Sequence, residues 1–318
     1  MLREMETDNN IGSAIQYFRE SYGISQSRLC KGICSTATLS RIESGERDVD
    51  VIILETLLER LGKIPYQFEL ILTDFDYEIY QIRQDINRLI ETNNIDGAYE
   101  LIRKYEELAS DKGSPHKQFI MICHARLNEL QEGNPEKTIE MLMEAITFTV
   151  PDFRSDDEMR HYFLSASEFN ILIDILQKMI STGMTDEANK IWDRIINYLN
   201  RYHQMERSNS IYPKVAAIGA KFLMDQGNLD RALDICNTGL DKNKGSRKMN
   251  YLAELNLYKA QIIERQAKRA ESWEFFDKEE CVSLYLRAYH IFSFFEDDTM
   301  AGQIKNHLRE EYRWEDID

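Results

Sequence analysis

The stretch SQSRLCKGICSTATLSRIESGER, residues 25–47, decides the fold of the N-terminal part of the chain. Ser25 and Ser35 are predicted to cap two short helices, because a serine hydroxyl accepts from the free backbone N–H groups of a first helical turn. Residues 32–34 form the corner between these helices. Gly45 follows the second helix, where glycine adopts a positive φ at little cost. The sequence therefore predicts two short helices joined by a tight turn.

The second of these helices has a buried side and an exposed side. Leu39 and Ile42 point inward, since they are spaced i, i+3. The outer face carries small or polar side chains and one arginine, namely Thr36, Ala37, Ser40 and Arg41. Such a face suits a helix that enters the major groove of DNA, where arginine can bond a guanine edge. This pattern favours a DNA-reading helix over a helical hairpin with chance matches.

The motif resembles that of a known group of regulators. SQ-x-x-LC-x-GICS-x-x-TLSRIE-x-G is similar to the helix-turn-helix of the lambda-repressor/Cro (XRE) superfamily, and LC-x-GICS-x-x-x-LS-x-IE resembles in particular the Rgg/PlcR/PrgX group of peptide-pheromone-responsive regulators. The interval from Gln26 to Ser35 is one residue shorter than in the broad superfamily and matches that group. The resemblance identifies the motif as a helix-turn-helix of this type.

The charge balance restricts how such a protein binds DNA. The net charge is −16, and residues 1–72 hold eight Lys and Arg against eleven Asp and Glu. Indiscriminate coating of nucleic acid is excluded, so binding must depend on a few placed cations and on helix N-termini aimed at phosphates. Two copies on a pseudo-palindromic operator would double these contacts. The predicted DNA contacts are Gln26, Arg28, Lys31, Ser35, Thr36, Ala37, Thr38, Ser40, Arg41 and Arg47.

Five helices are predicted to build the N-terminal domain, residues 1–72. Residues 11–22 give a first amphipathic helix, and Asp50 can cap VIILETLLERLG, whose apolar stripe is wide. Pro65 is predicted to open a fifth short helix, PYQFELIL. A long amphipathic stretch over residues 77–94 then begins the second domain, residues 73–318.

The second domain contains a loose repeat. A turn rich in Gly or Asn recurs before an acidic cap and a small residue, in NNIDGA (93–98), GNPEKT (133–138), GMTDEA (183–188) and GNLDRA (227–232). These turns resemble those of tetratricopeptide repeats, although the spacing exceeds their 34-residue period. A fifth helix pair fits residues 247–269 and 277–296, and a closing helix fits 299–312. We therefore expect an all-α protein: a five-helix lambda-repressor-like helix-turn-helix domain followed by a right-handed superhelix of about five tetratricopeptide-like pairs.

The Rgg/PlcR/PrgX resemblance implies partners that the residues alone do not give. It implies a homodimer that binds promoter DNA, and a short re-imported signalling peptide that docks in the concave groove of the repeats. No stretch approaches the ~20 apolar residues of a membrane span, and the start METDNN does not resemble a signal peptide, so we expect a cytoplasmic protein.

The groove can be predicted from the first helix of each pair, which lines the concave face in tetratricopeptide repeats. Asn and Gln can bond both a C=O and an N–H of an extended peptide, and lysine can bind a carboxylate. The predicted peptide contacts are Asn170, Gln177, Lys214, Lys221, Asn250 and Asn256, with Tyr212 and Tyr251 as further candidates. The alternative is that these side chains form an ordinary solvated face.

Other kinds of site find no support. The sequence lacks HExxH, GxSxG, Walker and GxGxxG motifs, so we expect no catalytic site, no metal site and no cofactor. The number of cysteines, five, is odd and they include no CxxC pair, so neither a disulfide framework nor a zinc site is indicated. Cys30 and Cys34, four residues apart at the corner, admit two interpretations: a redox switch, or small buried apolar side chains.

A second class of function stays open. The chain can also be interpreted as a protein-interaction scaffold of tetratricopeptide type whose N-terminal helices no longer read DNA. The exposed face of Thr36, Ala37, Ser40 and Arg41 favours the DNA-binding regulator. A helix-turn-helix that no longer binds DNA would have no need for cap, turn and arginine together.

Overall fold

The computed structural model describes residues 10–46, 49–70, 72–131, 133–155, 159–246 and 249–314. Over these residues the chain contains fifteen α-helices, one 3₁₀ turn and no strand, so the predicted all-α fold is confirmed. The chain divides after Arg194 into two compact units. In the described part of the chain, no helix is both long and apolar enough to cross a membrane.

Three of the four N-terminal α-helices begin after the predicted caps Ser25, Ser35 and Asp50, and the first begins after Asn10, which was not predicted as a cap. The four helices are α1 (Ile11–Ser21), α2 (Gln26–Leu29), α3 (Thr36–Glu43) and α4 (Val51–Arg60). The side chains of Asn10, Ser25, Ser35 and Asp50 each accept from a backbone N–H three residues later. Each cap satisfies one N–H group that the helix itself leaves free.

The predicted fifth helix is wrong. Residues Pro65–Gln67 form only a 3₁₀ turn, and Phe68 is already extended, with φ −115° and ψ 143°. The residues that follow, Phe68-Glu69-Leu70-Ile71-Leu72, are apolar at all but one position and define no helical face. Phe68 contacts Phe18 edge-to-face, with ring centroids 6.0 Å apart.

The first compact unit continues with helix pairs. They comprise α5 (Asp74–Glu91), α6 (Ile95–Leu108), α7 (Ser114–Gln131), α8 (Pro135–Thr149), α9 (Ala166–Ser181) and the start of α10 (Thr185–Arg201). Val51 and Ile52 of α4 belong to the same apolar core as Ile79, Tyr105 and Leu127. Helix α4 therefore shares its core with the first pairs, and the predicted domain boundary at residue 72 stays a prediction.

The second compact unit contains the remaining helices. They are α11 (Glu206–Asp225), α12 (Leu229–Ser246), α13 (Leu252–Arg269), α14 (Glu279–Phe294) and α15 (Asp298–Tyr312). The last three match the predicted fifth pair and closing helix within a few residues. Their core is formed around Tyr285, Ala288, Ile304 and Leu308.

Each of the four repeated turns joins the two helices of one pair, as predicted. The small residues that define the repeat, Ala98, Thr138, Ala188 and Ala232, are at most 1% exposed. A larger side chain at these positions would separate the two helices of a pair. The repeat signature thus marks a buried position near the turn of each pair.

Candidate nucleic-acid interface

Helix α3 is fixed by its cap and its apolar side. Ser35 Oγ accepts from the backbone N–H of Thr38 at 3.0 Å, and the two hydroxyls lie 2.9 Å apart. Leu39 is fully buried and Ile42 is 3% exposed. Ser35 and Thr38, both predicted DNA contacts, therefore have a structural role at the start of the helix.

The opposite side of α3 faces solvent. Thr36, Ala37, Ser40 and Arg41 are all exposed, as the helical spacing predicts. Arg41 lies in the last turn, and the backbone N–H of Glu46 closes the helix end by donating to the Arg41 carbonyl at 2.9 Å. Four of the predicted DNA-contacting side chains therefore share one accessible helix face.

A buried ion pair that the sequence interpretation missed orients this face. Arg19 of α1 donates to both carboxylate oxygens of Glu43 in α3, at 2.6 and 2.8 Å. Gln26 Nε2 donates to the same carboxylate at 2.7 Å, so Gln26, a predicted DNA contact, has a structural partner within the chain. Such a fork is a strong, direction-specific contact. It locks α3 against α1 and α2.

Two predicted phosphate-binding cations are engaged by the described part of the connection between α8 and α9. Lys31 Nζ lies 2.6 Å from Asp152 Oδ2 and 4.5 Å from the centroid of the Tyr162 ring. Arg28 donates to the Arg160 carbonyl at 2.8 Å, and its guanidinium carbon lies 4.6 Å from the centroid of the Phe163 ring. Contact of Arg28 or Lys31 with phosphate would replace these intramolecular contacts.

A second ion pair, the Arg60 cluster, holds the turn before α3. Arg60 and Glu168 have fully buried side chains and pair at 2.5 Å. Arg60 also donates to the carbonyls of Leu29, Lys31 and Thr149, at 3.2, 2.6 and 2.8 Å. Burial would raise the pKa of Glu168, but the charge and hydrogen bonds of Arg60 outweigh burial and lower it. The cluster connects the helix-turn-helix corner to the C-terminus of α8 and the N-terminus of α9.

Glycine is required at the centre of this corner. Gly32 has φ +78°, and a Cβ added to it would lie 2.1 Å from the carbonyl oxygen of Thr149. The corner therefore packs backbone against backbone on the C-terminus of α8. Arg47, the remaining predicted DNA contact, lies outside the described residues.

The predicted peptide contacts on α9 lie on an exposed face. Asn170 and Gln177 are exposed and two helical turns apart. Gln177 borders a cavity of about 250 Å³ between α7, α8 and α9. The cavity wall also contains Arg126, whose guanidinium donates to Asn87 at 2.7 Å, and Lys178, which pairs with Glu129 at 2.5 Å. This surface presents amide, cationic and acidic groups beside apolar ones.

The predicted peptide contacts in the second compact unit differ from one another in how exposed their side chains are. Lys214 is half-buried, and Lys221 pairs with Asp225 one turn away at 3.1 Å. Asn250 is exposed and lines a cavity of about 460 Å³. Asn256 is only 4% exposed and donates to the Leu252 carbonyl at 2.6 Å within its own helix. Asn256 therefore does not offer its amide to a ligand in this structure.

The helix-turn-helix family matches residues 15–68. Bacillus thuringiensis PlcR in complex with the peptide PapR7 and DNA is 17% identical, with 93% of this chain and 98% of that chain covered at a TM-score of 0.52. The chain shares the fold of PlcR.

PlcR in its apo form is similar too, at 15% identity, with 93% of this chain and 98% of PlcR covered and a TM-score of 0.51. The Streptococcus dysgalactiae SHP pheromone receptor Rgg2 is 13% identical, with 95% of this chain and all of that chain covered at a TM-score of 0.47. No relative is found among the curated proteins. The helix-turn-helix predicted from residues 25–47 is confirmed by the family match, and the likeness of fold to PlcR extends over both compact units.

The ion pairs were missed for identifiable reasons. Arg60 lies near the end of a wide apolar stripe, where a charged side chain is ordinarily solvated, and the sequence analysis gave it no role. The one available signal was Ser165-x-x-Glu168, whose reciprocal side-chain and backbone bonds form a capping box. A capping box predicts where a helix starts, and gives no indication that its glutamate pairs with an arginine 108 residues away.

Proposed function

We propose that the chain is a sequence-specific DNA-binding transcriptional regulator whose repeat helices bind a short signalling peptide, and that the peptide alters promoter binding or activity. The observation that carries the proposal is the exposed α3 face of Thr36, Ala37, Ser40 and Arg41, held in one orientation by the buried Arg19–Glu43 pair. A PlcR-like fold supports the peptide part, because PlcR is described in complex with a peptide and DNA.

Base reading by Arg41 tests the DNA part. Arg41→Ala should weaken binding to specific DNA by ~1–3 kcal/mol, because a bidentate contact to a guanine edge is lost. The measurement is a salt-titrated shift assay on the DNA upstream of the chain's own coding sequence, beside random DNA of equal length. Arg88→Ala is the matched control, since Arg88 is an exposed arginine on α5.

The two DNA probes separate a base contact from a phosphate contact. A base contact weakens specific binding alone, whereas a phosphate contact weakens both probes about equally. Equal weakening would show that Arg41 does not read bases. A complete absence of binding by the unchanged protein, at low salt and with the inducing peptide supplied, would favour the rival function, a protein-interaction scaffold.

The acidic composition supports a dimer on DNA. With one helix-turn-helix per chain and few placed cations, two copies are needed on a pseudo-palindromic site with half-sites about one turn, or a multiple, apart. Arg60 pairs with Glu168, so a fragment ending near residue 72 would lose this pair and the packing around it. The stoichiometry is therefore best measured with the full chain, by light scattering of the DNA complex. One protomer per operator would contradict the proposal.

The α9 surface is the proposed peptide site. Asn170 lies on the exposed face of α9 that also presents Gln177, and an asparagine amide can satisfy both a C=O and an N–H of an extended peptide. Asn170→Ala should weaken the binding of the peptide by ~1–3 kcal/mol, because a buried polar group of the peptide loses its hydrogen-bond partner. DNA binding without peptide should persist, since Asn170 lies far along the chain from α3.

The peptide experiment needs a matched asparagine. Asn200→Ala on α10 is a suitable control, because Asn200 is exposed on the second helix of its pair. A promoter reporter is measured with and without peptide-containing culture medium. We expect loss of the response in Asn170→Ala and a normal response in Asn200→Ala. A normal response in both variants would move the peptide site away from α9.

A further inference from the structure

The five cysteines occupy two different environments. Cys123, Cys236 and Cys281 are fully buried, and burial raises the pKa of each thiol, to about 12 for Cys123 and Cys236. At Cys30 a hydrogen bond with the Cys34 thiol outweighs burial and lowers the pKa; the positive charge of Arg60 acts in the same direction. Only the thiolate is nucleophilic, so Cys30 differs in reactivity from the three thiols whose pKa is raised.

The backbone brings the two corner thiols together. The N–H of Cys34 donates to the Cys30 carbonyl at 3.1 Å, and the N–H of Ile33 donates to the same oxygen at 2.8 Å. This turn places the side chains close enough for their hydrogen bond. Cys30 is 2% exposed, whereas Cys34 is partly open to solvent. An oxidant can therefore reach one thiol of a pair whose second member is adjacent.

We propose that Cys30 and Cys34 are a redox-modification site, at which a hydroperoxide converts the two thiols into a reversible intramolecular disulfide. The Cys34 thiolate attacks the hydroperoxide, an S–O bond forms, the O–O bond breaks and an alcohol leaves after taking a proton. The Cys30 thiolate then attacks the Cys34 sulfur, an S–S bond forms, and the sulfenic oxygen leaves as water. Two thiols lose two protons and two electrons, and one hydroperoxide becomes one alcohol and one water.

The disulfide must change the shape of the corner. Two sulfur atoms in a disulfide lie about 2.05 Å apart, far closer than two hydrogen-bonded thiols. The corner has little room to contract, because Gly32 already packs on the Thr149 carbonyl and Arg60 binds the carbonyls of Leu29 and Lys31. Oxidation should therefore disturb the Arg60 cluster and the orientation of α3. The reaction itself does not depend on the proposed regulatory function.

The test uses the reduced full-length protein and hydrogen peroxide. Peptide mapping by mass spectrometry with differential thiol labelling should find a Cys30–Cys34 disulfide, while Cys123, Cys236 and Cys281 stay reduced. Dithiothreitol should reverse it. Oxidation should lower the thermal unfolding temperature of the unchanged protein, and Cys34→Ser should abolish that shift, with circular dichroism confirming that the variant folds.

A DNA arm measures the consequence for α3. Binding to the chain's own upstream DNA should become about tenfold weaker or more on oxidation, recover with dithiothreitol, and stay unchanged by peroxide in Cys34→Ser. Failure to form the disulfide, or equal oxidation of all five cysteines, would overturn the proposal. A disulfide that shifts neither the unfolding temperature nor DNA binding would overturn its structural effect. Absence of DNA binding in the reduced protein would instead count against the proposed function.

Discussion

Two buried glutamates, one in each compact unit, are stabilised in different ways. Glu168 is fully buried and has one cationic partner, Arg60, with the backbone N–H of Ser165 donating at 2.6 Å. Glu264 is 6% exposed and accepts from four side chains: Tyr285 at 2.9 Å, His307 at 2.8 Å, Tyr312 at 3.1 Å and Lys268 at 2.5 Å. The first carboxylate depends on one permanently charged residue, and the second depends on several weaker donors.

The difference shows how a buried charge can be made either essential or replaceable. Loss of the single cation leaves a carboxylate isolated in a dry interior, which costs far more than the pair contributes. Loss of one of four donors leaves three in place. Glu168 joins sequence-distant elements around the helix-turn-helix corner, whereas Glu264 joins three consecutive helices, α13 to α15.

The largest effect is expected from breaking the single pair. Arg60→Met should lower the free energy of unfolding by about 3–5 kcal/mol, because Glu168 keeps its charge and loses its partner. Urea unfolding of the full chain measures the change. Arg60→Met combined with Glu168→Met is the matched control and should recover much of the loss, since two apolar side chains replace the pair. A double variant as unstable as the single one would show that packing, rather than charge, dominates this site.

A smaller effect is expected from the glycine beside that pair. Gly32→Ala should cost about 2–3 kcal/mol, because the new methyl group displaces the Thr149 carbonyl that Arg60 binds and because φ is positive. Gly23→Ala is the matched control: Gly23 has φ +63°, but an added Cβ meets nothing within 4 Å. Thermal unfolding should therefore show the larger loss for Gly32→Ala. Equal losses would mean that the close contact with α8 is not rigid.

The smallest effect concerns acid stability at Glu264. Burial would raise the pKa of Glu264, but the hydrogen bonds from His307 and Lys268 outweigh it and lower the pKa from 4.5 to about 2. A lowered pKa in the folded state means that the carboxylate's contribution is present above pH 4.5 and is lost as the pH falls toward 2.

Glu264→Gln removes this titration. The unchanged protein should lose about 1–2 kcal/mol more than the variant between pH 5 and pH 3, measured by urea unfolding. Both proteins retain Glu168, whose lowered pKa contributes the same acid sensitivity to each. Parallel pH profiles would show that Glu264 is not held as a carboxylate by its four donors.

The sequence predicted features that depend on nearby residues. Ser35, Asp50 and Ala98 could be assigned because a cap or a tight helix contact is determined within a few positions. Residues 65–72 were predicted as a helix because the segment PYQFELIL is too short to define a period. Arg60–Glu168 and Arg28–Arg160 could not be predicted, since nothing local selects partners more than one hundred residues away. The α3 face was therefore predictable, and what holds the corner behind it was not.

The Arg60 cluster also restricts how the chain can be divided and recombined. A chimera that takes residues 1–72 from this chain and the repeats from a relative would separate Arg60 from Glu168 and Gly32 from the Thr149 carbonyl. The exchangeable piece is therefore discontinuous: the helix-turn-helix together with the end of α8 and the start of α9. For the same reason, the amide protons of α2 and α4 should exchange with solvent in step with those of α8 and α9, as one cooperative unit.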